Sequence, residues 1–123
     1  VVGHVSYGIC QAAARDLAGA IGSFGKPVLL VASTDMSHYE SRRQASQKDR
    51  LAIERILALD PRGLYDTVIG QRISMCGVLP TTIVLLAALE LGATRAELVE
   101  YTDSGAASGD TDQVVGYAGL IIA

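Results

Sequence analysis

The sequence feature that most constrains the fold is an apolar run that ends in an acid and an imidazole. Val28–Ala32 are consecutive apolar residues, and the segment Ser33–His38 follows them directly. Because the run has no polar alternation, it predicts a strand at 28–33 that is covered on both faces, as in a parallel sheet. Ligands bind at the carboxyl ends of the strands in open α/β sheets. The sequence therefore places Asp35 and His38 where a functional site is expected.

Asp35 and His38 stand three positions apart, and this spacing admits two interpretations. A loop that turns helically would bring the two side chains together, where they could hold a metal or transfer a proton. Alternatively, Asp35 caps a following turn and His38 is a surface histidine. Residue types alone rank this structural interpretation first.

Helical and strand-like patterns alternate along the rest of the chain. Apolar periodicity and Gly and Pro stops predict helices at 9–22, 51–59, 62–69 and 80–91 and strands at 1–5, 96–102 and 114–122. A pattern at Ser46 and Asp49 resembles a capping box, and residues 103–112 predict a loop. A chain of 123 residues forms at most one domain. The interleaved patterns predict an α/β class, with a mixed, largely parallel sheet flanked by helices.

Charge and composition exclude several classes of partner. The net charge is −3, whereas nucleic acids and anionic membranes both require a basic surface. The uncharged stretch 73–89 contains Pro80 and is shorter than a bilayer span of roughly 20 apolar residues. Two cysteines do not make a disulfide framework, so a cytoplasmic setting is expected. The chain opens on Val1–Val5 without an initiator Met and in a strand-like pattern, which suggests a fragment of a longer protein.

The second point of chemical interest is Cys76, which stands just before the helix predicted at 80–91. The positive end of a helix dipole favours a thiolate, which attacks electrophiles and binds soft metals. The alternative is a small buried hydrophobe, the commoner role of a lone cysteine and the preferred one here. Cys10 lies among alanines and is expected in the core. His4 is interpreted as a satisfied strand histidine rather than a ligand.

The motifs around these residues carry a family resemblance. Ala32–Tyr39 resembles the Ser-Ser/Thr-Asp-x-x-His segment of the Memo family, and Met75–Pro80 resembles its Cys-Gly-x-x-Pro segment. Tyr101–Asp110 and Val115–Gly119 are similar to the bacterial and archaeal branch of the family, AmmeMemoRadiSam system protein B. The motifs follow the family's order but match only the C-terminal part of a typical member. The resemblance implies that residues 1–123 are the C-terminal segment of a Memo-like domain, and so an incomplete domain.

The resemblance also implies a fold and a site. The family fold is similar to that of class III extradiol ring-cleaving dioxygenases, with a mononuclear metal pocket. Cys76 maps onto a metal ligand, and Asp35 and His38 map onto pocket groups for proton transfer or substrate contact. In the family, the cysteine joins two upstream histidines around iron or copper. Those histidines have no counterpart in this chain, and His4 lies outside the matching motifs, so we expect this chain alone to bind metal weakly or not at all.

Two functions from different classes remain open from the sequence. One is a metal-dependent oxidoreductase related in fold to the extradiol dioxygenases. The other is a non-catalytic module that binds a peptide or small molecule in the same cleft. Either way, the expected partners are such a ligand and the missing N-terminal half of the domain, not a nucleic acid or a membrane. Both functions require Asp35, His38 and Cys76 to lie within roughly 10 Å of one another, since groups around one metal are that close.

Overall fold

The computed structural model of the protein describes residues 5–123. Its helices are α1 (Tyr7–Phe24), α2 (Arg42–Leu57), α3 (Pro61–Gly70), α4 (Val78–Glu90) and α5 (Gly105–Ser108), and its strands are β1 (His38–Glu40), β2 (Ala96–Asp103) and β3 (Val114–Ile122). This mixture of helices and a small sheet agrees with the predicted α/β class. The strand predicted at 1–5 and the interpretation of His4 fall outside the described residues, apart from Val5.

Short polar side chains set the starts of the first three helices. Ser6 and Ser41 accept hydrogen bonds from the backbone N–H groups three residues into α1 and α2. Asp60 caps α3 in the same way, and Pro61 occupies the first turn, where its missing N–H is not needed. The capping-box pattern at Ser46 and Asp49 is therefore not a helix start. Both residues lie inside α2, which Ser41 begins earlier.

The sheet has the strand order β1-β3-β2, and both pairings are antiparallel. The largely parallel sheet predicted from the sequence is therefore not found among residues 5–123. The reason lies in the connection between β2 and β3, which consists of residues 104–113 and the short helix α5. A connection of this kind returns the chain antiparallel, whereas parallel neighbours need a longer crossover.

The apolar run Val28–Ala32 does not form the predicted buried strand. Its backbone has no strand assignment, and Leu29 and Val31 are 85% and 74% exposed. A strand needs a neighbour for its N–H and C=O groups, and no described strand pairs with this run. The run instead faces Leu120 and Ile122 of β3 across an open cavity of about 550 Å³.

The main core lies between the inner face of the sheet and helices α2, α3 and α4. Its most buried members are Met36, Ala52, Ile53, Ile56, Leu64, Val68, Ile73, Met75 and Leu85. Each fully buried Leu, Ile or Met stabilises the fold by about 1.5–3 kcal/mol. A second cluster joins α1 to α4 through Ala14, Ala18 and Ala87. Because α4 packs against both α1 and α3, its nearly all-round apolar pattern correctly predicted a core position.

Among residues 5–123, no helix combines the length and the apolar character that a membrane-spanning helix requires.

Candidate functional site

The three residues predicted for the site lie together in the structure. One ligand atom from each of Asp35, His38 and Cys76 lies within 4.8 Å of the others. The predicted proximity of these side chains is therefore confirmed, although Cys76 is far from the other two in the sequence. The functional role of each residue stays a prediction.

The loop that carries Asp35 and His38 is held against β3. Met36 donates its backbone N–H to the carbonyl of Gly116 at 2.9 Å, and Gly116 donates back to the carbonyl of Ser37 at 2.9 Å. Met36 and Ser37 are buried between the two site residues. The flanking Asp35 and His38 are partly exposed. The middle of the loop is therefore fixed in the protein interior, and the side chains at its two ends reach the site.

His38 is oriented by two hydrogen bonds with Ser74. Its backbone N–H donates to Ser74 Oγ at 2.8 Å, and its Nδ1 lies 2.7 Å from the Ser74 carbonyl oxygen. A carbonyl oxygen only accepts, so this contact assigns the proton to Nδ1 and leaves the lone pair of a neutral ring on Nε2. Nε2 lies 3.5 Å from Oδ2 of Asp35. The free ring nitrogen thus faces the carboxylate of Asp35.

Cys76 is exposed, so the interpretation of its thiol as a buried hydrophobe is wrong. Its Sγ accepts a hydrogen bond from the backbone N–H of Asp35 at 3.3 Å and lies 3.7 Å from Thr34 Oγ1. The next residue, Gly77, donates its N–H to Thr34 Oγ1 at 2.7 Å. These contacts fix the start of α4 against the loop before His38. Cys10, by contrast, is fully buried, as predicted.

Gly77 is required by the close approach of the two segments. A Cβ atom at this position would lie 2.4 Å from Thr34 Cβ and 2.5 Å from Thr34 Oγ1. Such contacts are too short for any side chain. The glycine after Cys76 therefore lets the thiol reach Asp35 and His38.

The donor set matches a metal of borderline softness. A cysteine sulfur, an imidazole nitrogen and a carboxylate oxygen are the ligand types that zinc, iron and copper accept. A metal-bound histidine commonly donates the N–H of its other ring nitrogen to a backbone carbonyl. The Ser74 carbonyl is placed to accept such a bond from Nδ1 of His38. The types and the spacing of the residues present therefore fit a metal ion.

Two positions important to the site escaped the sequence reasoning. Asp49 is fully buried in α2 and accepts a hydrogen bond from Ser37, and Gly116 sits opposite in β3. Asp49 lies three and four positions before the buried Ala52 and Ile53, so helical spacing puts a carboxyl group on the apolar face. A glycine inside a strand often marks a close approach of another chain segment. These two signals were present in the sequence.

Comparison with known proteins gives a consistent result. The family model described as Memo-like protein matches residues 1–121. A MEMO1 family protein of Methanopyrus kandleri is 48% identical over 93 residues, which cover 76% of this chain and 33% of that protein. A MEMO1 family protein of Methanosarcina barkeri is 42% identical over 106 residues, which cover 86% of this chain and 40% of that protein.

A more distant relative agrees with these two. A MEMO1 family protein of Pyrobaculum aerophilum is 37% identical over 107 residues, which cover 87% of this chain and 38% of that protein. The chain thus spans 33–40% of the length of these relatives. The family model covers nearly all of the chain, in agreement with the resemblance carried by the motifs. The chain belongs to the Memo family.

Proposed function

We propose that residues 1–123 form the C-terminal part of a Memo-family domain that holds one iron or copper ion in the pocket marked by Asp35, His38 and Cys76. The observation that carries this proposal is the convergence of three ligand atoms within 4.8 Å. When bound, an iron or copper ion supplies redox chemistry that protein side chains lack.

Cys76 is the proposed metal ligand of this chain. Its sulfur is exposed, and the N–H group of Asp35 is directed at it from 3.3 Å. Cysteine binds metals as the thiolate, whose sulfur can accept this hydrogen bond as well. Thiolate ligands suit copper(I) and iron. The backbone contact also holds the sulfur beside Asp35.

Asp35 and His38 are the proposed proton-handling pair. The Ser74 carbonyl holds the proton on Nδ1 of His38, so Nε2 can accept a second proton. Asp35 Oδ2, 3.5 Å from Nε2, stabilises the imidazolium that would form. The pair can therefore remove a proton from a bound substrate and return it, or hold a substrate hydroxyl in place.

The upstream half of the domain completes the pocket and the sheet in this proposal. With Cys76 as the metal ligand from this chain, metal positions remain for the two histidines that the family resemblance implies. The exposed apolar run Val28–Ala32 and its cavity of about 550 Å³ support an additional strand packed there. A parallel strand at this place would give the mixed sheet of class III extradiol dioxygenases. A reducing cytoplasm would keep both cysteines free, as they are in the structure.

The reaction class that we propose is metal-dependent oxidation of a small molecule. One observation favours a second candidate, a binding module without turnover. A cavity of about 770 Å³ adjoins Cys76, and more than half of its lining residues are apolar, among them Val68 and Ile69 of α3 and Leu79 of α4. Its apolar lining and size suit an apolar part of a peptide or small ligand.

Oxygen consumption separates the two candidates. The longer protein that contains residues 1–123 is loaded anaerobically with Fe(II) or Cu(I) and mixed with oxygen in the presence of a reductant. An oxidoreductase consumes oxygen above the rate of the free metal, and Cys76→Ser removes the increase. Cys10→Ala is the matched control because it deletes the other thiol, which is fully buried and does not belong to the donor set. Metal binding without oxygen consumption would favour the binding module, and no metal binding would refute the proposed pocket.

A further inference from the structure

The buried carboxyl group of Asp49 lies directly behind the site. Asp49 belongs to the apolar face of α2 and has no exposed surface. Burial of a carboxyl group is unfavourable unless hydrogen bonds satisfy its oxygens. Both oxygens are satisfied here: Oδ1 accepts the backbone N–H of Ser37 at 2.8 Å, and Oδ2 accepts the hydroxyl of Tyr101 at 2.7 Å.

The bond to Ser37 acts on the backbone between the two exposed site residues. Ser37 stands next to His38 and two positions after Asp35. Gly116 holds the neighbouring groups, the N–H of Met36 and the carbonyl of Ser37. The three bonds together fix consecutive peptide groups in the middle of the loop. The direction in which Asp35 and His38 leave the backbone is set by these peptide groups.

Strands β3 and β2 each carry a residue that accommodates the Asp49 carboxyl group. A Cβ atom at residue 116 would lie 2.0 Å from Asp49 Oδ2, so β3 carries glycine where the carboxyl group passes. Tyr101 reaches Asp49 from β2 and pairs with Ala118 of β3. Burial and the bond to Asp49 raise the pKa of Tyr101, which keeps the phenol a hydrogen-bond donor. Helix α2 and strands β2 and β3 therefore converge on one side chain.

We propose that Asp49 is a positioning residue of the site, which holds Ser37 so that Asp35 and His38 stay within reach of Cys76. The inference rests on the proposed function only for what the site binds, because the hydrogen bonds exist without a metal. Asp49 itself touches no ligand, and it acts through the loop.

Two variants separate the hydrogen bond from the charge. Asp49→Asn keeps an oxygen that accepts from Ser37 and an amide that can donate to the Tyr101 oxygen. Asp49→Ala removes both bonds and leaves the Ser37 N–H buried without a partner. Leu64→Ala is the control for general destabilisation, since Leu64 is a fully buried core residue of α3 whose apolar side chain makes no hydrogen bond to the loop.

Amide hydrogen exchange is measured in the metal-free longer protein. We expect the Ser37 amide to exchange about tenfold faster in Asp49→Ala than in Leu64→Ala at equal global stability, because this buried donor has lost its partner. The Asp35 amide should follow, since it depends on the same loop to reach Cys76. Asp49→Asn is expected to keep the original exchange rates. Equal rates in Asp49→Ala and Leu64→Ala would overturn the inference, and so would loss of protection in Asp49→Asn.

Copper(I) affinity provides the second measurement. Asp49→Ala should lower the affinity by about 10–100-fold, as loss of an outer partner does at metal sites, and Asp49→Asn should restore it. If the original protein binds no metal, the proposed function fails, while the exchange data still decide the role of Asp49. Should Asp49→Ala not fold, Tyr101→Phe takes its place. Tyr101→Phe removes the hydrogen bond to Oδ2 of Asp49, so the carboxyl group is held less firmly and the Ser37 amide should exchange faster. An unchanged exchange rate of the Ser37 amide would overturn the inference.

Discussion

The backbone N–H of Asp35 donates a hydrogen bond to the Sγ of Cys76 across 3.3 Å, although the two residues stand 41 positions apart. A second bond, from the N–H of Gly77 to Thr34 Oγ1, runs beside it. The loop after the apolar run and the start of α4 are therefore one structural unit. A change in either segment is expected to move the thiol relative to the carboxylate and the imidazole.

The two thiols of the chain should differ strongly in reactivity. Cys76 is exposed beside a cavity, whereas Cys10 has no exposed surface, and burial raises the pKa of the Cys10 thiol. We expect iodoacetamide to label Cys76 faster by on the order of a hundredfold, because Cys10 reacts only after local opening. Peptide mass spectrometry measures both rates in the folded protein. An unfolded sample, in which both thiols should react alike, is the control, and equal rates in the folded protein would contradict the expectation.

The contact between Gly77 and Thr34 predicts a costly glycine substitution. In Gly77→Ala the new Cβ atom would lie 2.4 Å from Thr34 Cβ, so the two segments must separate. We expect the free energy of unfolding in urea to fall by about 1–3 kcal/mol, the usual cost of overpacking. Gly19→Ala is the control, since its Cβ atom meets nothing within 4 Å in the middle of α1. That variant should be neutral or more stable by about 0.5–1 kcal/mol. Equal effects of the two substitutions would refute the steric argument.

An ion pair between α2 and the end of β2 predicts a loss of stability in acid. Arg42 of α2 donates two hydrogen bonds of 2.7 Å to Asp103 of β2. The guanidinium lowers the pKa of Asp103 below its ordinary value near 4. Because the folded-state pKa is the lower one, the pair stabilises the fold above the unfolded-state pKa and loses that effect as the pH falls through the folded-state pKa.

Urea titrations from pH 7 to pH 2 check this dependence. The original protein should lose more stability in acid than Asp103→Asn, which has no carboxyl group to protonate. We expect the two stability curves to converge at the acid end. Parallel curves over the whole range would show that Asp103 does not contribute to the acid sensitivity.

The sequence predicted the helices better than the sheet, for a physical reason. The periodicity of α1 and α4 and the strand pattern of β3 are local, and each was found close to its observed range. The run Val28–Ala32 is also clear in the sequence, but a strand depends on a partner that local residues do not specify. An apolar pattern shows that a segment favours burial, and it does not show which segment buries it.

The site was found through motifs rather than through residue types. Asp35, His38 and Cys76 were each weighed against a structural interpretation, and residue types alone favoured that interpretation for every one of them. The contribution of Asp49 was missed because its spacing from Ser46 looked like a capping box. Its place on the apolar face of α2, with Ala52 and Ile53, was the more informative pattern.

The central claim is that Cys76 is a metal ligand in a pocket that the upstream part of the domain completes. An anaerobic Cu(I) titration against a competing chelator tests it on the longer protein and on the 123-residue chain. We predict one tightly bound equivalent in the longer protein, little or no binding by the chain, and no change in Cys10→Ala. Cys76→Ser should weaken binding by more than about a hundredfold, since loss of an outer partner alone costs about 10–100-fold. Unchanged affinity in Cys76→Ser, or tight stoichiometric binding by a soluble monomer of the 123-residue chain, would contradict the account.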